Sequence, residues 1–473
     1  MIINNNSEIP SNQLGQRILL ITHFLPPGHT AGTEQYTLGL GKALVARGYH
    51  VELLCAEDWD QGEHYWNGVT TDSLDGVSVH RIHLNWVKAK NPNKILYDSK
   101  PVEKWLDSFL ADNRFDLVHV TSTYSLGVGV FRSVKRAKIP LVLTLMDFWF
   151  ICPSLQLLQS DGNLCDGVVS ACQCEACLMA GSHIFQELSK VTILDSIKCR
   201  FWDTLAHITV VNRQRGLRGM LLNMEQRKYN LKKALSLPDV IISPSNTVKD
   251  LFAKNTDRTI EFLPYRHDVS WLNTYHGKTK SDVIRIGYLG QIHQIKGLHL
   301  LVEAFVKAEI GDRARLVIWG DYTKNPVYAQ KLHDIIGDHP SILLMGGYRR
   351  EQMGSIMAEI DIVVVPSIWY ENAPLVIQEA FAAKTPVITT NLGGMAEAIK
   401  HNVNGLLFER NDIIDLSQQL KRVVDEKNLL ATFTSNLPSV KQFQNHEDEP
   451  LEIELVYRRL ISQNQLPSVY RVI

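Results

Sequence analysis

The stretch 283–308, VIRIGYLGQIHQIKGLHLLVEAFVKA, combines a strand pattern with a helical pattern. Its first eight residues form a short run rich in β-branched and apolar side chains, which is typical of a buried strand. A helical pattern follows, in which Leu298, Leu301 and Phe305 share one face. A strand that leads directly into a helix predicts one unit of a parallel α/β sheet with right-handed crossovers.

The same alternation of strand and helix patterns extends in both directions. Strand patterns after this stretch are ARLVIWG, SILLMGG, DIVVVPS and TPVITT, and those before it are RILLIT, HVELLC, DLVHVT, PLVLTL and DVIISPS. Residues 57–115 show no clean period and are predicted as loops with short strands such as VSVHRIHL. The prediction is α/β, with two tandem Rossmann-like parallel-sheet domains at 1–265 and 283–440. A helical tail, 441–473, is expected to pack on the first domain.

Length and composition narrow the function classes. The chain has 473 residues, which is more than one compact core usually holds, since a domain has about 150 residues. The 49 Lys+Arg and 50 Asp+Glu residues leave a net charge of -1, which argues against a nucleic-acid partner. No run reaches the roughly 18 apolar residues of a membrane span, and the polar start lacks a signal-peptide core. We expect a cytoplasmic protein.

Two open parallel sheets in tandem predict an active site in the cleft at their strand carboxyl ends. The loop LGQIHQIKG, 289–297, offers Gly290 and Gly297 for close backbone approach and Lys296 as a cation. With the free N–H groups of the next helix, this loop could bind a diphosphate. A plain turn with a solvated lysine is the alternative, and this motif alone does not decide between them.

A second motif, PSIWYENAPLVIQEAFAAKTPV at 366–387, contains Glu371 and Glu379 around Pro374, the predicted first residue of a helix. Such carboxylates can hold sugar and ribose hydroxyls, or can be solvated acids favoured by the helix dipole. A third motif, HTAGTEQY at 29–36, places Gly32 at a strand-to-helix turn, where backbone N–H groups could face an anion.

Taken together, these motifs resemble the retaining glycosyltransferases of the GT-B fold, family 4, also called glycosyl transferases group 1. The resemblance covers nearly the whole chain and includes AGTE, GYHVELL, IKG, WGD, ENAPLVIQE, TTNLGGMAEAI and NGLLF. The spacing of seven residues between Glu371 and Glu379 is its most specific match.

The resemblance implies a nucleotide-diphosphate sugar donor, a glycan or lipid-linked acceptor, and no cofactor for catalysis. By likeness, Lys296 neutralises the diphosphate, Glu371 lies near the transferred sugar, and Glu379 holds the ribose. The backbone of Asn372, Ala373, Pro374 and Leu375 would contact phosphate or sugar, and Gly32 would let the acceptor domain close. Gln291 replaces a usual arginine and Met146 a usual histidine beside Asp147, which is expected to act in catalysis or as a buried structural acid.

A cysteine-rich insert at about 150–180 resembles one found in a subset of the family. Cys174 and Cys177 have a metal-knuckle spacing, and Cys152 and Cys165 could complete a structural zinc site. Cys172 competes for one position, an iron–sulfur cluster is an alternative, and free thiols or a disulfide are the plain interpretation.

The basic stretch 212–233 could lie on an anionic membrane surface, or it could be a solvated helix face. Two other functions remain alternatives to the enzyme. Met146 and Gln291 favour a non-catalytic sugar-nucleotide-binding scaffold with a degenerate site. A dinucleotide dehydrogenase ranks last, since GVGVFR at 127–132 lacks the third glycine of the fingerprint.

Overall fold

The computed structural model describes residues 15–58, 61–181, 223–265, 269–440 and 451–465, together with positions 201, 204, 208 and 210. The chain divides into two compact units. The first consists of Met1–Pro244, Lys249–Leu263 and Leu451–Ile473, and the second of Ser245–Val248 and Pro264–Pro450.

The first unit is built on an eight-stranded sheet. In chain order, its strands are β1 (Arg17–Ile21), β2 (His50–Asp58), β3 (Trp66–Leu74), β4 (Val77–Leu84), β5 (Leu117–Val120), β6 (Leu141–Thr144), β7 (Val240–Ser243) and β8 (Glu261–Phe262). Their order in the sheet is β3-β4-β2-β1-β5-β6-β7-β8. Only the edge pair β3–β4 is antiparallel among the described strands. The described helices of the chain up to residue 253 are α1 (Gly32–Ala46), α2 (Pro92–Tyr97), α3 (Lys100–Asp112), α4 (Gly129–Arg136), α5 (Ala171–Ala180), α6 (Met224–Ala234) and α7 (Asn246–Ala253).

The second unit is built on a six-stranded parallel sheet. Its strands are β9 (Ile284–Leu289), β10 (Ala314–Trp319), β11 (Ile342–Gly346), β12 (Ile362–Val365), β13 (Val387–Thr390) and β14 (Gly405–Phe408). They lie in the order β11-β10-β9-β12-β13-β14. The described helices from residue 298 to 436 are α8 (Leu298–Ala308), α9 (Pro326–Ile336), α10 (Met353–Ala358), α11 (Leu375–Ala382), α12 (Gly393–Ala398), α13 (Ile413–Asp425) and α14 (Leu429–Asn436). Buried apolar side chains of β9, α8 and α13 share one core.

Residues 57–115 are more regular than their sequence predicted. The turn Asp75–Gly76, with φ of 52° and 85°, joins β3 and β4. Two consecutive residues at positive φ are what a two-residue hairpin turn needs, and Asp-Gly is a favoured pair there. Helix α3 was missed altogether, although Val102, Leu106 and Leu110 are buried at helical spacing. The predicted strand VSVHRIHL is present as β4, and the prediction of loops was wrong for β3 and α3.

The last described helix, α15 (Glu452–Gln465), belongs to the first unit. Its Tyr457 hydroxyl lies 2.6 Å from Nδ1 of His119, whose Nε2 lies 2.7 Å from the Thr144 hydroxyl. All three residues are buried, and burial lowers the pKa of His119 to about 3. The imidazole is therefore neutral and links α15 to β5 and β6 through a buried polar chain.

Candidate active site

The candidate site of the second unit lies at the edge of the sheet, at the point where the strand order of this sheet reverses. Strands β9 and β12 are parallel neighbours at the centre of the sheet, with β10 and β13 on their outer sides. Ligands of open α/β sheets bind outside the strand carboxyl ends at such a switch point. The loops that follow β9 and β12 contain Lys296 and Glu371, so both predicted residues lie at this edge.

Gly297 explains why these two loops touch. Its φ is 69°, and a Cβ on it would lie 1.9 Å from the carbonyl oxygen of Pro366. The Ile368 N–H also donates to the Ile295 carbonyl at 2.9 Å. Only glycine allows both the left-handed backbone and this approach, and it positions the neighbouring Lys296.

Lys296 and Glu371 form an ion pair. The Lys296 ammonium donates to Oε1 of Glu371 at 2.6 Å and lies 5.4 Å from the centre of the Trp369 ring. The Ser367 hydroxyl and the Trp369 indole N–H donate to the same oxygen at 2.8 and 2.9 Å. Three donors therefore hold Oε1 of a carboxylate that is only 9% exposed. The sequence predicted neither Ser367 nor Trp369, although both lie within four residues of Glu371.

The conformation of residues 372–375 depends on a close contact with Gly394. The Gly394 N–H donates to the Glu371 carbonyl at 3.0 Å, and a Cβ on Gly394 would lie 1.4 Å from the Asn372 carbonyl oxygen. The Tyr265 hydroxyl donates to the Ala373 carbonyl at 2.6 Å. Pro374 is the N-cap of α11 rather than its first residue, so the helix begins at Leu375 without a side-chain cap. In the first turn of α11, the Ile377 N–H donates to the Pro374 carbonyl at 3.1 Å.

Glu379 lies one turn into α11 and is buried. Nη1 of Arg350 donates to its Oε1 at 3.3 Å, so the carboxylate predicted to hold ribose already has a cationic partner. No sequence pattern indicated this pair, because Arg350 belongs to a separate loop after β11. Its role as ribose ligand stays a prediction.

Gly290 and Gln291 directly follow β9. The Gly290 N–H donates to the Trp319 carbonyl at 3.1 Å, and a Cβ on Gly320 would lie 2.4 Å from the Gly290 carbonyl oxygen. The Gln291 side chain is exposed, while its carbonyl accepts a hydrogen bond from the Tyr288 hydroxyl at 2.7 Å. These contacts fix the backbone directly after β9. The side chain of Gln291, which replaces the family's arginine, therefore projects from a backbone of defined position.

Gly32 and Asp147 belong to the first unit. Gly32 is the exposed first residue of α1, whose N-cap Ala31 provides no side-chain hydrogen bond. Asp147 follows β6 and accepts hydrogen bonds from the Ser122 hydroxyl at 3.2 Å and the Trp149 N–H at 2.8 Å. Burial raises the pKa of this carboxyl. Their assigned roles stay predictions.

The four cysteines predicted as zinc ligands, Cys152, Cys165, Cys174 and Cys177, are free thiols, and Cys172 is disulfide-bonded. Burial raises the pKa of the Cys174 thiol to about 11. Within the ranges that the structure describes, no three His, Cys, Asp or Glu side chains are arranged to hold a metal. The structure therefore gives no support to a preformed metal centre, and the zinc site stays a prediction.

Metal content tests that prediction. We expect purified, dialysed protein to contain about one zinc per chain and the Cys174→Ser variant to contain none, because four thiolates complete a structural zinc site. Elemental analysis makes the measurement, and Cys55→Ser, in the buried strand β2, is the matched control. Wild-type protein without zinc would rule the site out, and iron with sulfide would replace it by a cluster.

Of the basic stretch, residues 212–222 lie outside the described residues, and α6 contains its second half. Arg227 is 1% exposed, donates to the Trp149 carbonyl at 2.6 Å and stacks 4.1 Å from the Trp149 ring. Burial lowers the pKa of Arg227 to about 10, and nearby Cys152 and Cys174 raise it. Arg227 therefore faces neither a membrane surface nor solvent, so both interpretations of the basic stretch are wrong for this residue. Among the described residues, no helix is both long and apolar enough to cross a membrane.

Solved structures share this architecture over nearly the whole chain. Sucrose-phosphate synthase from Thermosynechococcus elongatus is 17% identical with a TM-score of 0.64, covering 94% of this chain and 99% of its own. Anabaena HepE in complex with UDP-glucose is 16% identical with a TM-score of 0.57, covering 94% and 98%. The fold is GT-B, as predicted.

Family models extend the assignment to the sequence. The glycosyl transferase 4-like domain matches residues 31–172 and glycosyl transferases group 1 matches residues 275–439. The chain therefore belongs to the family 4 glycosyltransferases, which confirms the resemblance. An uncharacterized glycosyltransferase of Methanocaldococcus jannaschii is 22% identical over 82% of this chain and 84% of its own length. The capsular polysaccharide biosynthesis glycosyltransferase CapM of Staphylococcus aureus is 22% identical over 44% and 54%.

Proposed function

We propose that this glycosyltransferase moves a sugar from a nucleotide-diphosphate donor to a hydroxyl of a glycan or lipid-linked acceptor, with retention at the anomeric carbon. The observation on which this depends is the pair Lys296–Glu371, held at 2.6 Å at the switch point of the second sheet. Family membership supports the reaction class, and the UDP-glucose complex of Anabaena HepE supports the donor class.

The pair suits the charge changes of such a transfer. The bond between the anomeric carbon and the diphosphate oxygen breaks, and its electrons leave with the diphosphate. The acceptor oxygen bonds to the anomeric carbon, and its proton passes to the departing diphosphate. Lys296 and the N-terminus of α8, whose N-cap is Gly297, supply positive charge where negative charge develops, which typically lowers a barrier by a few kcal/mol per good contact.

We further propose a role in polysaccharide or glycoconjugate synthesis. The similarity to CapM, a glycosyltransferase of capsular polysaccharide biosynthesis, supports this role. Because Lys296 and a helix N-terminus can together offset a diphosphate, we also propose that catalysis needs no metal. Turnover is then expected to survive treatment with EDTA.

The experiment incubates the purified full chain with UDP-, ADP- and GDP-linked sugars and a set of glycan acceptors, and follows nucleotide release and product. We expect one donor to be consumed, and the coupling constant of the product's anomeric proton to report retention. Nucleotide binding with no turnover on any donor would favour the non-catalytic scaffold instead. Inversion at the anomeric carbon would overturn retention alone.

A further inference from the structure

A third loop contacts the candidate site of the second unit, besides the two loops that contain Lys296 and Glu371. It follows β14, the edge strand of the sheet, and consists of residues 409–412. Because β14 runs parallel to its neighbour β13, this loop lies at the same carboxyl-end edge of the sheet. Nε of Arg410, in this loop, donates to the Ile368 carbonyl at 2.7 Å. None of the family motifs includes Arg410, although NGLLF ends only two residues before it.

The backbone of Ile368 is held through both of its polar groups. Its N–H donates to the Ile295 carbonyl at 2.9 Å, and its carbonyl accepts the hydrogen bond from Arg410. The first bond joins the loop after β12 to the loop after β9, and the second joins it to the loop after β14. Three loops of the site are therefore connected at this one residue.

The two residues that flank Ile368 hold the carboxylate of the site. The Ser367 hydroxyl and the Trp369 indole N–H donate to Oε1 of Glu371 at 2.8 and 2.9 Å. The same oxygen accepts the hydrogen bond from Lys296 at 2.6 Å. A shift of the Ile368 backbone would therefore change the hydrogen bonds of Glu371 and, through that carboxylate, the position of the Lys296 ammonium.

Arg410 extends from a turn whose backbone is itself fixed. The Asp412 N–H donates to the Glu409 carbonyl at 3.0 Å, and the Glu409 N–H donates to Oδ2 of Asp415 at 2.7 Å. Asp412 is also the N-cap of α13, where its Oδ1 accepts from the Ile414 and Asp415 N–H groups at 2.9 Å each. The guanidinium is thus supported by a rigid element, as a group that positions others requires.

The guanidinium loses part of its hydration where it meets this carbonyl. Arg410 is half-buried, and burial lowers its pKa, whereas the nearby Tyr370 raises it. Arginine nevertheless stays charged at neutral pH, because its ordinary pKa is very high. A charged donor makes a shorter and stronger hydrogen bond than a neutral one, so Arg410 restrains the Ile368 carbonyl more firmly than water would.

We propose that Arg410 is a positioning residue of the transfer reaction, which holds the Ile368 backbone so that Glu371 and Lys296 keep their geometry. This inference rests on the proposed function and deepens it, since it adds a residue that acts through a hydrogen bond to the loop rather than on the donor. Such a role matters because a misplacement of about 1 Å at a catalytic group can cost roughly 100-fold in rate.

The first measurement is steady-state kinetics of the full chain with the consumed donor. We expect Arg410→Ala to lower kcat about 10- to 100-fold while the KM for the donor stays within about threefold, because a misplaced pair stabilises the transition state less well. Arg410→Lys keeps a charged donor only one bond further from the backbone than Nε. Its kcat is expected to lie within about fivefold of wild type.

The second measurement reports the position of the loop without turnover. TROSY NMR records the indole N–H signals of the tryptophans, and Trp369→Phe identifies the signal of Trp369. We expect this signal to move upfield in Arg410→Ala, because its hydrogen bond to Glu371 lengthens, and to keep its position in Arg410→Lys.

Arg422→Ala is the matched control. Arg422 is a half-buried arginine of α13 whose Nε donates to Oε1 of Glu426 at 2.6 Å. Its removal is expected to change neither the kinetics nor the Trp369 signal. If Arg410→Ala fails to fold, Arg410→Gln replaces it in both measurements, with an expected loss of at least about fivefold in kcat.

Three results would each overturn the inference. They are a kcat of Arg410→Ala within about twofold of wild type, a Trp369 signal that does not move, and a raised donor KM at unchanged kcat, which would place Arg410 on the donor itself. Failure of the proposed function is seen separately, as wild-type protein without turnover. The Trp369 signal then still decides whether Arg410 holds the loop.

Discussion

Replacing Lys296 with alanine is expected to lower turnover about 100- to 1000-fold, the usual effect of removing one preorganised donor from a developing oxyanion. Folding is expected to survive. Glu371 keeps its hydrogen bonds from Ser367 and Trp369, and Lys296 is a quarter exposed. The free energy of unfolding should therefore change by no more than about 1 kcal/mol. Steady-state kinetics with the consumed donor and urea unfolding make the two measurements.

Lys307→Ala is the control for this variant, because Lys307 is exposed in the last turn of α8, the helix that follows the Lys296 loop. It should leave both turnover and stability unchanged. Lys296→Arg keeps the charge but presents it as a planar fork, so we expect an intermediate rate. Wild-type turnover by Lys296→Ala would mean that the lysine serves only as the structural partner of Glu371.

Replacing Gly297 with alanine is expected to cost about 2–5 kcal/mol of unfolding free energy, the largest stability effect that we predict. A left-handed backbone costs a residue with a Cβ roughly 1–2 kcal/mol, and overpacking costs roughly 1–3 kcal/mol more. Here φ is 69° and the added carbon would lie 1.9 Å from the Pro366 carbonyl oxygen. The loops after β9 and β12 must then separate, so activity should fall with stability.

Gly347→Ala is the matched substitution. Gly347 is exposed, and the nearest atom to an added Cβ is 3.7 Å away on Asp321. Its unfolding free energy should stay within about 0.5 kcal/mol of wild type in urea. Equal stability of Gly297→Ala and Gly347→Ala would show that the contact with Pro366 can relax without cost.

Sequence patterns that lie within a short window predicted some elements of the fold. Strand β9, its loop and α8 follow from β-branched residues, glycine and a helical period inside one 26-residue window. The pairing of Lys296 with Glu371 could also be foreseen in outline, because parallel strands deliver their loops to one edge. Helix α3 was missed because its buried positions Val102, Leu106 and Leu110 are separated by charged residues and lie among aromatic residues and asparagines.

Other parts of the site depend on contacts that spacing does not encode. The hydrogen bond from Trp369 to Glu371, the ion pair of Arg350 with Glu379 and the approach of Gly394 to Asn372 appear only once the sheet is assembled. For Arg227, the prediction from sequence was wrong. Its basic sequence neighbours suggested a surface, yet its guanidinium is buried against Trp149. Composition counts charges but does not say which of them are desolvated.

The link between His119 and Tyr457 has a consequence for how the chain is made. The two residues are 338 positions apart, so Nδ1 of His119 in β5 lacks this partner until Tyr457 has left the ribosome. The long segment Pro264–Pro450 of the second unit is continuous and is completed earlier. During synthesis, the nascent N-terminal sheet must therefore persist with Nδ1 of His119 unpaired, while Nε2 already has the Thr144 hydroxyl as its partner.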